Sequence, residues 1–466
     1  MAVLASGRRP RFGISSVETE SPAIETGFRF RGQRWDDAPV SAIIDDLSWR
    51  GLIAVHTDLD DLRKELDAGI VTFYCGFDPT AAGLHIGNLV QLLTMRRLQM
   101  AGHRPIAIVG GATGLIGDPG GKSAERVLNP RELVADWVER IREEVNRFLD
   151  FTPGPTAATV VSNLDWTGPL SAIDFLRDIG KHFPVNQMLS REVVKARLDA
   201  AGISYTEFSY QILQANDYLE LHNRYDCTLQ LGGSDQWGNL VSGVDLIRRV
   251  TTHTVHALAT PLITKPDGTK YGKTEGEAVW LSQDLMSSYA FYQFWLNRAD
   301  DEMPGMLRVF SFRSRAEIEE LERAVAEQPQ ARRAQRLLAE ELTTLVHGAD
   351  ELARVQAASQ ALFGQGDLGA LDEETLAAAV AEVPHAKIDG LPGGGLPAVA
   401  DLMAATGIVK SKSEARRAIA AGGAYLNNEK VTAEDAAPTE ADLLRGEYLV
   451  VRRGKRTVGA VRIRKP

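Results

Sequence analysis

A chain of 466 residues is too long for a single hydrophobic core and predicts two or three domains. Its 44% apolar and 24% charged residues are those of an ordinary globular protein, and its two cysteines, Cys75 and Cys227, exclude a disulfide framework or a cysteine-based zinc site. As a single number the net charge of −10 argues against a nucleic-acid partner, but residues 396–466 hold 13 Lys/Arg against 8 Asp/Glu, which leaves −15 on the rest. No apolar run nears the ~20 residues of a membrane helix, and none follows Met1 as in a secretory signal. A cytoplasmic chain without membrane contact is expected.

Residues 1–39 carry Arg8, Arg9 and Arg11 and then a polar, acidic stretch without sustained period, which predicts a disordered tail. Order is expected from residue 40, where Ile43, Ile44, Leu47 and Leu52 fall at helical spacing. Residues 71–75 read as a buried strand, 85–100 as a helix and 105–109 as a strand. Asn129 and Pro130 suit a helix start, with Asn as cap and Pro in the first turn. That helix would show one face through Leu133, Trp137, Ile141 and Val145. Further strands are expected at 158–162 and 227–231. This alternation from residue 71 to about 261, within an expected domain of residues 40–286, predicts a parallel sheet covered on both faces, with ligands at the carboxyl ends of its strands. From 287 to 388 the spacing is helical only, as in Ile318, Leu321 and Ala324 or Leu338, Leu342 and Leu345. The Gly- and Pro-rich residues 389–396 predict a linker, and residues 397–466 a small terminal domain.

Two motifs carry chemistry. In residues 74–88 (YCGFDPTAAGLHIGN) a strand ends, the chain turns at Asp78 and Pro79, and His85, Ile86, Gly87 and Asn88 open a helix whose free amides favour an anion. Gly87 would admit a base or ribose close to the backbone, and Thr80 and His85 can donate to phosphate oxygens. Residues 270–274 (KYGKT) place Lys270 and Lys273 three apart around a glycine, which suits a clamp on a polyphosphate. Alone, the first motif is also what a packed turn looks like and the second what a solvated loop looks like. Residues 117–123 (GDPGGKS) imitate a P-loop, but three residues separate Gly117 from Gly121 where that loop has four. Tyr210, Gln214 and Asp217 stand at steps of four and three on one helix face, a pattern that plain surface also produces.

The two motifs resemble the signatures of class I aminoacyl-tRNA synthetases. The blocks GGATGLIGDP (110–119), NLDW (163–166), YQILQAND (210–217) and LGGSDQW (231–237) are similar to those of the bacterial-type tyrosyl-tRNA synthetase family. The resemblance covers the chain from residue 40 onward. It implies a Rossmann-like, doubly wound α/β catalytic domain over 40–286, an all-α anticodon-side domain over 287–388 and a small α+β RNA-binding domain over 397–466. It also implies activation of L-tyrosine by ATP, Mg2+ carried on the ATP phosphates, no permanent metal or organic cofactor, and transfer to tRNA(Tyr) by a homodimer. By resemblance, Thr80, His85, Lys122, Arg126, Lys270 and Lys273 stabilise the phosphates. Tyr74 and Asp217 match the pair that binds the phenolic hydroxyl of tyrosine. Asp118, Tyr210 and Gln214 match the ammonium site, while Gly233, Asp235 and Gln236 resemble the residues that hold the ribose and the activated carboxyl group, with Asn163 supporting them. Cys75, Gly76, Asp78, His85, Gly87, Asn88, Gly233, Asp235, Lys270 and Lys273 match the ATP site.

Asn88 departs from the first signature, which usually has a second histidine there, and an amide can still donate to ribose or phosphate. Tyr271, Gly272 and Thr274 depart from the general second signature in a form that tyrosyl enzymes commonly carry. Residues 409–417 (VKSKSEARR) and 422–428 (GGAYLNN) resemble a small RNA-binding fold known from a ribosomal protein. There Lys410, Lys412, Arg416 and Arg417 would meet a phosphate backbone, although a solvated face looks similar. A tryptophanyl enzyme is the nearest rival, against which Asp217 opposite Tyr74 and the basic terminal domain both weigh. A catalytically silent RNA-binding scaffold would show damage at His85, Lys270 or Lys273, and the sequence has none. A nucleotidylyltransferase acting on a small acid would leave both terminal domains unexplained.

Overall fold

The computed structural model describes residues 42–120, 128–199, 202–264, 278–389 and 395–464. The expected tail, most of the expected linker and Lys122, Arg126, Lys270 and Lys273 lie outside the described residues.

The first sheet holds β1 (Val55–His56), β2 (Thr72–Phe77), β3 (Arg104–Val109), β4 (Thr159–Ser162), β5 (Cys227–Gly233) and β6 (His256–Thr260), in the order β1-β6-β5-β2-β3-β4. The pairs from β2 to β6 are parallel, and β1 lies antiparallel on the β6 edge. From β2 the chain winds outward through β3 and β4, then returns to lay β5 and β6 on the other side of β2. The reversal leaves a crevice between the carboxyl ends of β2 and β5, because the crossovers leave in opposite directions there.

Strand parity divides the side chains between two cores. Phe73, Cys75 and Phe77 of β2 and Ala107 and Val109 of β3 face one side, while Tyr74, Ile106 and Ile108 face the other. The first side is covered by the helices Ile86–Met100 and Arg131–Val145, the second by Tyr205–Tyr225 and Trp237–Thr251. Helix Arg131–Val145 buries Val134, Val138, Ile141 and Val145, whereas the expected Leu133 is exposed. Steps of four alone drift around a helix of 3.6 residues per turn, and one step of three returns the stripe to the sheet.

Helices from Ser288–Leu296 to Glu373–Ala381 follow, packed around Phe291, Trp295 and Phe310. The expectation of helix alone up to residue 388 differs from the structure at its end. There β7 (His385–Asp389) joins β8 (Ala424–Leu426), β9 (Glu429–Lys430), β10 (Tyr448–Arg453) and β11 (Thr457–Arg464) in a second sheet, paired in parallel with β11. Only Ala386 and Ile388 of β7 are half-buried, and two alternating positions are too few to reveal a period of two in the sequence. One face of this sheet, with Leu449, Val451, Val461 and Ile463, packs on the helices Val399–Ala405 and Lys412–Ala420. The other, with Tyr448, Val450, Val458 and Ala460, continues the core of the helical region.

Candidate active site

A cavity of about 300 Å3 opens at the carboxyl ends of β2 and β5. Tyr74, Cys75, Gly76, Asp78, Thr80, His85, Gly87, Asn88, Asp118, Tyr210, Gln214, Asp217, Gly233, Asp235 and Gln236 all border it. Asn163 lies behind its wall, fully buried.

Parity in β2 sends Tyr74 toward the helix Tyr205–Tyr225, where its ring meets Tyr218 with centroids 5.2 Å apart. From that helix Tyr210, Gln214 and Asp217 reach the cavity together. Asp217 is 3% exposed and held from behind. Its Oδ2 accepts from Asn163 Nδ2 at 3.0 Å, and its Oδ1 from Trp166 Nε1 at 2.8 Å. Asn163 is fixed in turn, since its Nδ2 also reaches Thr113 Oγ1 at 2.9 Å and its Oδ1 accepts from the Ala112 amide at 2.7 Å. Burial pushes the Asp217 carboxyl up to about 7, against the opposing pull of those two hydrogen bonds. The Tyr74 hydroxyl is buried and has no partner among the described residues. Burial, then the charge of Asp217, raises this phenol well above its ordinary value, so it keeps its proton. An unpartnered donor beside a carboxylate with spare lone pairs fits a ligand hydroxyl that both accepts and donates.

Two further acids gather beside this pair. Asp78 accepts from Tyr210 Oη at 2.6 Å and from Thr113 Oγ1 at 2.6 Å. A side chain at Gly110 would run into Asp78 and Thr113, so the glycine makes their contact possible. Asp118 Oδ2 accepts from Gln236 Nε2 at 2.6 Å, and Gln236 Oε1 accepts from Asn239 Nδ2 at 2.9 Å. Gln214 Oε1 is buried without a partner among the described residues. Asp78, Asp118 and Asp217 around one opening, with a spare amide oxygen, favour a cationic ligand group.

The cavity continues to the start of helix Ile86–Met100. His85 is its N-cap, with Nδ1 accepting from the Gly87 amide at 3.0 Å, while Asn88 Oδ1 accepts from the His85 amide at 3.0 Å. This reciprocal capping satisfies two helix-start amides and puts the proton of a neutral His85 ring on Nε2. A methyl at Gly87 would lie 2.8 Å from His85 Cε1, so the glycine makes room for the ring as well as bordering the cavity. Asn88 spends its oxygen on the cap and keeps its NH2 group to offer. Cys75 is buried in the core beneath, where burial pushes its thiol up to about 12 and keeps it neutral.

Residues 67–364 match the family model of tRNA synthetases class I (W and Y), and residues 375–459 match the Tyrosine–tRNA ligase SYY-like C-terminal domain. The Tyrosine–tRNA ligase of Streptomyces avermitilis is 62% identical over 424 residues, 90% of this chain and 99% of that one. The chain belongs to the bacterial tyrosyl-tRNA synthetases. As such it activates L-tyrosine with ATP to tyrosyl-adenylate and pyrophosphate, then transfers tyrosine to the 3′ end of tRNA(Tyr). Two solved structures share its fold. A C-terminally truncated mitochondrial tyrosyl-tRNA synthetase from Coccidioides posadasii has 28% identity and a TM-score of 0.60, covering 67% of this chain and 90% of that one. Its counterpart from Aspergillus nidulans has 26% identity and a TM-score of 0.62, covering 68% and 93%.

Sequence reasoning missed three residues of this synthetase site. Trp166 stood in a recognised block, but nothing local announces that its indole holds Asp217. Thr113 ties Asp78 to Asn163. Gln91 borders the cavity, donates to Thr260 Oγ1 at 2.6 Å and has an oxygen without a partner among the described residues. Its place one turn beyond Asn88 on the same helix was the available signal. In the terminal domain Lys410, Arg416 and Arg417 are exposed, while Lys412 pairs with Asp401 at 2.7 Å.

Proposed function

We propose that the cavity seats tyrosine at its Tyr74–Asp217 end and ATP along the His85 helix start and the Gly233 turn. The observation that carries this reading is the buried Tyr74 hydroxyl left without a partner beside Asp217, whose two oxygens are held by Asn163 and Trp166. Tyr74 donates to the substrate's phenolic oxygen, whose own proton goes to Asp217. Tyr210, Gln214 and Asp118 hold the ammonium, with Asp78 adding negative charge and Gln236 setting Asp118. Cys75, Gly76, Asp78, Gly87, Asn88, Gly233 and Asp235 border the nucleotide. Thr80, His85, Lys122, Arg126, Lys270 and Lys273 stabilise the phosphates. Magnesium enters with ATP as part of the substrate.

No enzyme nucleophile is needed. A tyrosine carboxylate oxygen bonds to the α-phosphorus as the bond to the bridging oxygen breaks, and pyrophosphate leaves with its magnesium. A terminal ribose hydroxyl of the tRNA then attacks the carbonyl of the adenylate and AMP departs. The test is ATP–pyrophosphate exchange without tRNA. Exchange with tyrosine but not with phenylalanine or tryptophan is expected, and exchange supported equally by phenylalanine would overturn the hydroxyl-reading assignment. Phenylalanine fails because it leaves Tyr74 and Asp217 unsatisfied in a buried site.

Tyrosine binding on these terms needs Asp217 ionised. With that carboxyl pushed up to about 7, the KM for tyrosine is expected to rise about tenfold per pH unit below 7 and to level off above it. Exchange assays from pH 5.5 to 8.5 read this directly, and a flat KM would remove the ionised acceptor from the scheme.

The chain acts as a homodimer in this reading. Leu164, Ile173, Leu176, Val185, Leu189 and Leu198 expose large apolar side chains within one short stretch, a density that supports burial against a second copy. Replacing Ile173 and Leu176 together by Asp is expected to give a monomer in sedimentation equilibrium. Residues 40–286 serve as the catalytic domain, 287–388 as the anticodon-side domain and 397–466 as an RNA grip in which Lys410, Lys412, Arg416 and Arg417 are exposed cations, Lys412 also pairing with Asp401. The enzyme works in the cytoplasm, where two free buried cysteines are at home.

A further inference from the structure

The backbone of residues 84–87 is fully engaged in a way that depends on one distant side chain. The Leu84 carbonyl accepts from the Leu281 amide at 2.9 Å, and the Ile86 amide donates to the Val279 carbonyl at 2.9 Å, so His85 faces Trp280 in an antiparallel bridge. The His85 and Trp280 rings meet edge-on with centroids 6.2 Å apart. The His85 and Gly87 amides are satisfied inside the capping box. That leaves the Leu84 amide, which donates to Glu144 Oε2 at 2.8 Å, across 60 residues of sequence.

Glu144 is an unusual residue to find there. It sits near the end of helix Arg131–Val145, 5% exposed, on a stripe otherwise made of Val138, Ile141 and Val145. A buried carboxylate is costly and is retained only where its hydrogen bonds repay desolvation. The neighbouring chain is shaped to admit it. A methyl added at Gly83 would lie 2.8 Å from Glu144 Oε1, 3.0 Å from Leu285 Cδ1 and 3.6 Å from Ser282 Cβ. Gly83 thus packs closely against both Glu144 and the chain that follows Trp280.

We propose that Glu144 is a positioning residue for the activation step: through the Leu84 amide it sets the Leu84–His85–Ile86 backbone against Val279–Trp280–Leu281 and so aims His85 at the phosphates. It does not touch substrate. The inference rests on the reading of His85 as a phosphate donor.

Tyrosine-dependent ATP–pyrophosphate exchange by the full chain tests it, with thermal melting as a parallel measurement. Glu144→Ala is expected to lower kcat about tenfold, the order of one lost charge-assisted hydrogen bond, with the KM for tyrosine unchanged. Glu144→Gln keeps an acceptor for the Leu84 amide and is expected to recover most of that loss. Gly83→Ala pushes the same contact from the other side at a backbone position without strain, and is expected to reproduce the kcat defect. A purely structural role would instead lower the melting temperature and the fraction of active enzyme, leaving the kcat of the folded fraction intact. Wild-type kcat per active site in Glu144→Ala would overturn the proposal. So would a Glu144→Gln enzyme as slow as the Ala variant with an unchanged melting temperature. His85→Ala measured alongside separates the two levels: if it retains kcat, the reading of His85 falls; if it is slow while Glu144→Ala is not, only the positioning role falls.

Discussion

Asp217→Ala is expected to lower kcat/KM for tyrosine by about a hundredfold or more, with the KM for ATP changed by no more than about twofold. A hydrogen bond to a charged group contributes about 1.5–3 kcal/mol, and leaving the substrate's phenolic hydroxyl unpaired in a buried site costs a further ~1–3 kcal/mol. About 2.7 kcal/mol already corresponds to a hundredfold. Exchange rates across tyrosine concentration measure the loss. The same substitution is expected to leave stability at pH 8 about unchanged, because losing a buried charge offsets the orphaned donors of Trp166 and Asn163. Burial raises the folded-state carboxyl from its ordinary value to about 7, so its folded form favours the proton. Its contribution is fully present below the unfolded value and is lost as pH rises toward 7. At pH 8 the wild-type protein therefore carries an unfavourable buried charge that the variant lacks. A melting temperature at pH 8 close to wild type, alongside the collapse in kcat/KM, is the combined result expected. A large fall in both would mean that Asp217 holds the fold rather than the substrate.

Replacing His85 separates two jobs that one ring performs. His85→Ala is expected to lower the kcat of tyrosine activation about 10²–10³-fold, the usual effect of removing one preorganised donor to a developing charge. It also removes the helix cap, at about 1 kcal/mol of stability. His85→Asn should restore the cap, because an Asn side chain accepts well from amides at that position, yet it places no donor where Nε2 now stands. The Asn variant is thus expected to melt like wild type and still be slow. Wild-type kcat in His85→Asn would confine His85 to capping and leave the phosphates to the other cations.

How much of this was legible depended on the range of the interactions. The strands β2 to β5 and the helices Ile86–Met100 and Arg131–Val145 follow from local period and caps: β2 reads as a strand from its β-branched and aromatic residues, and the turn through Asp78 and Pro79 into His85 reads as a helix start. Once β2 is a strand, parity alone puts Tyr74 and Cys75 on opposite faces. The motifs and the blocks between them sufficed to name the family and to list fifteen residues that border one cavity.

The sequence by itself therefore determined the central alternation of strands and helices and the chemical groups available to the site. Tertiary structure decided which groups meet. Strand order brought Asp217 to Tyr74, and packing seated Trp166 and Asn163 behind that carboxylate. It selected Val134 over Leu133 as a core residue, drew β7 into the terminal sheet and paired Lys412 with Asp401. It also set Glu144 under Leu84. The reason is physical: propensities, caps and periods act within about four residues along the chain. The partners of a buried polar group are whatever the sheet order and the packed helices place within about 3 Å of it.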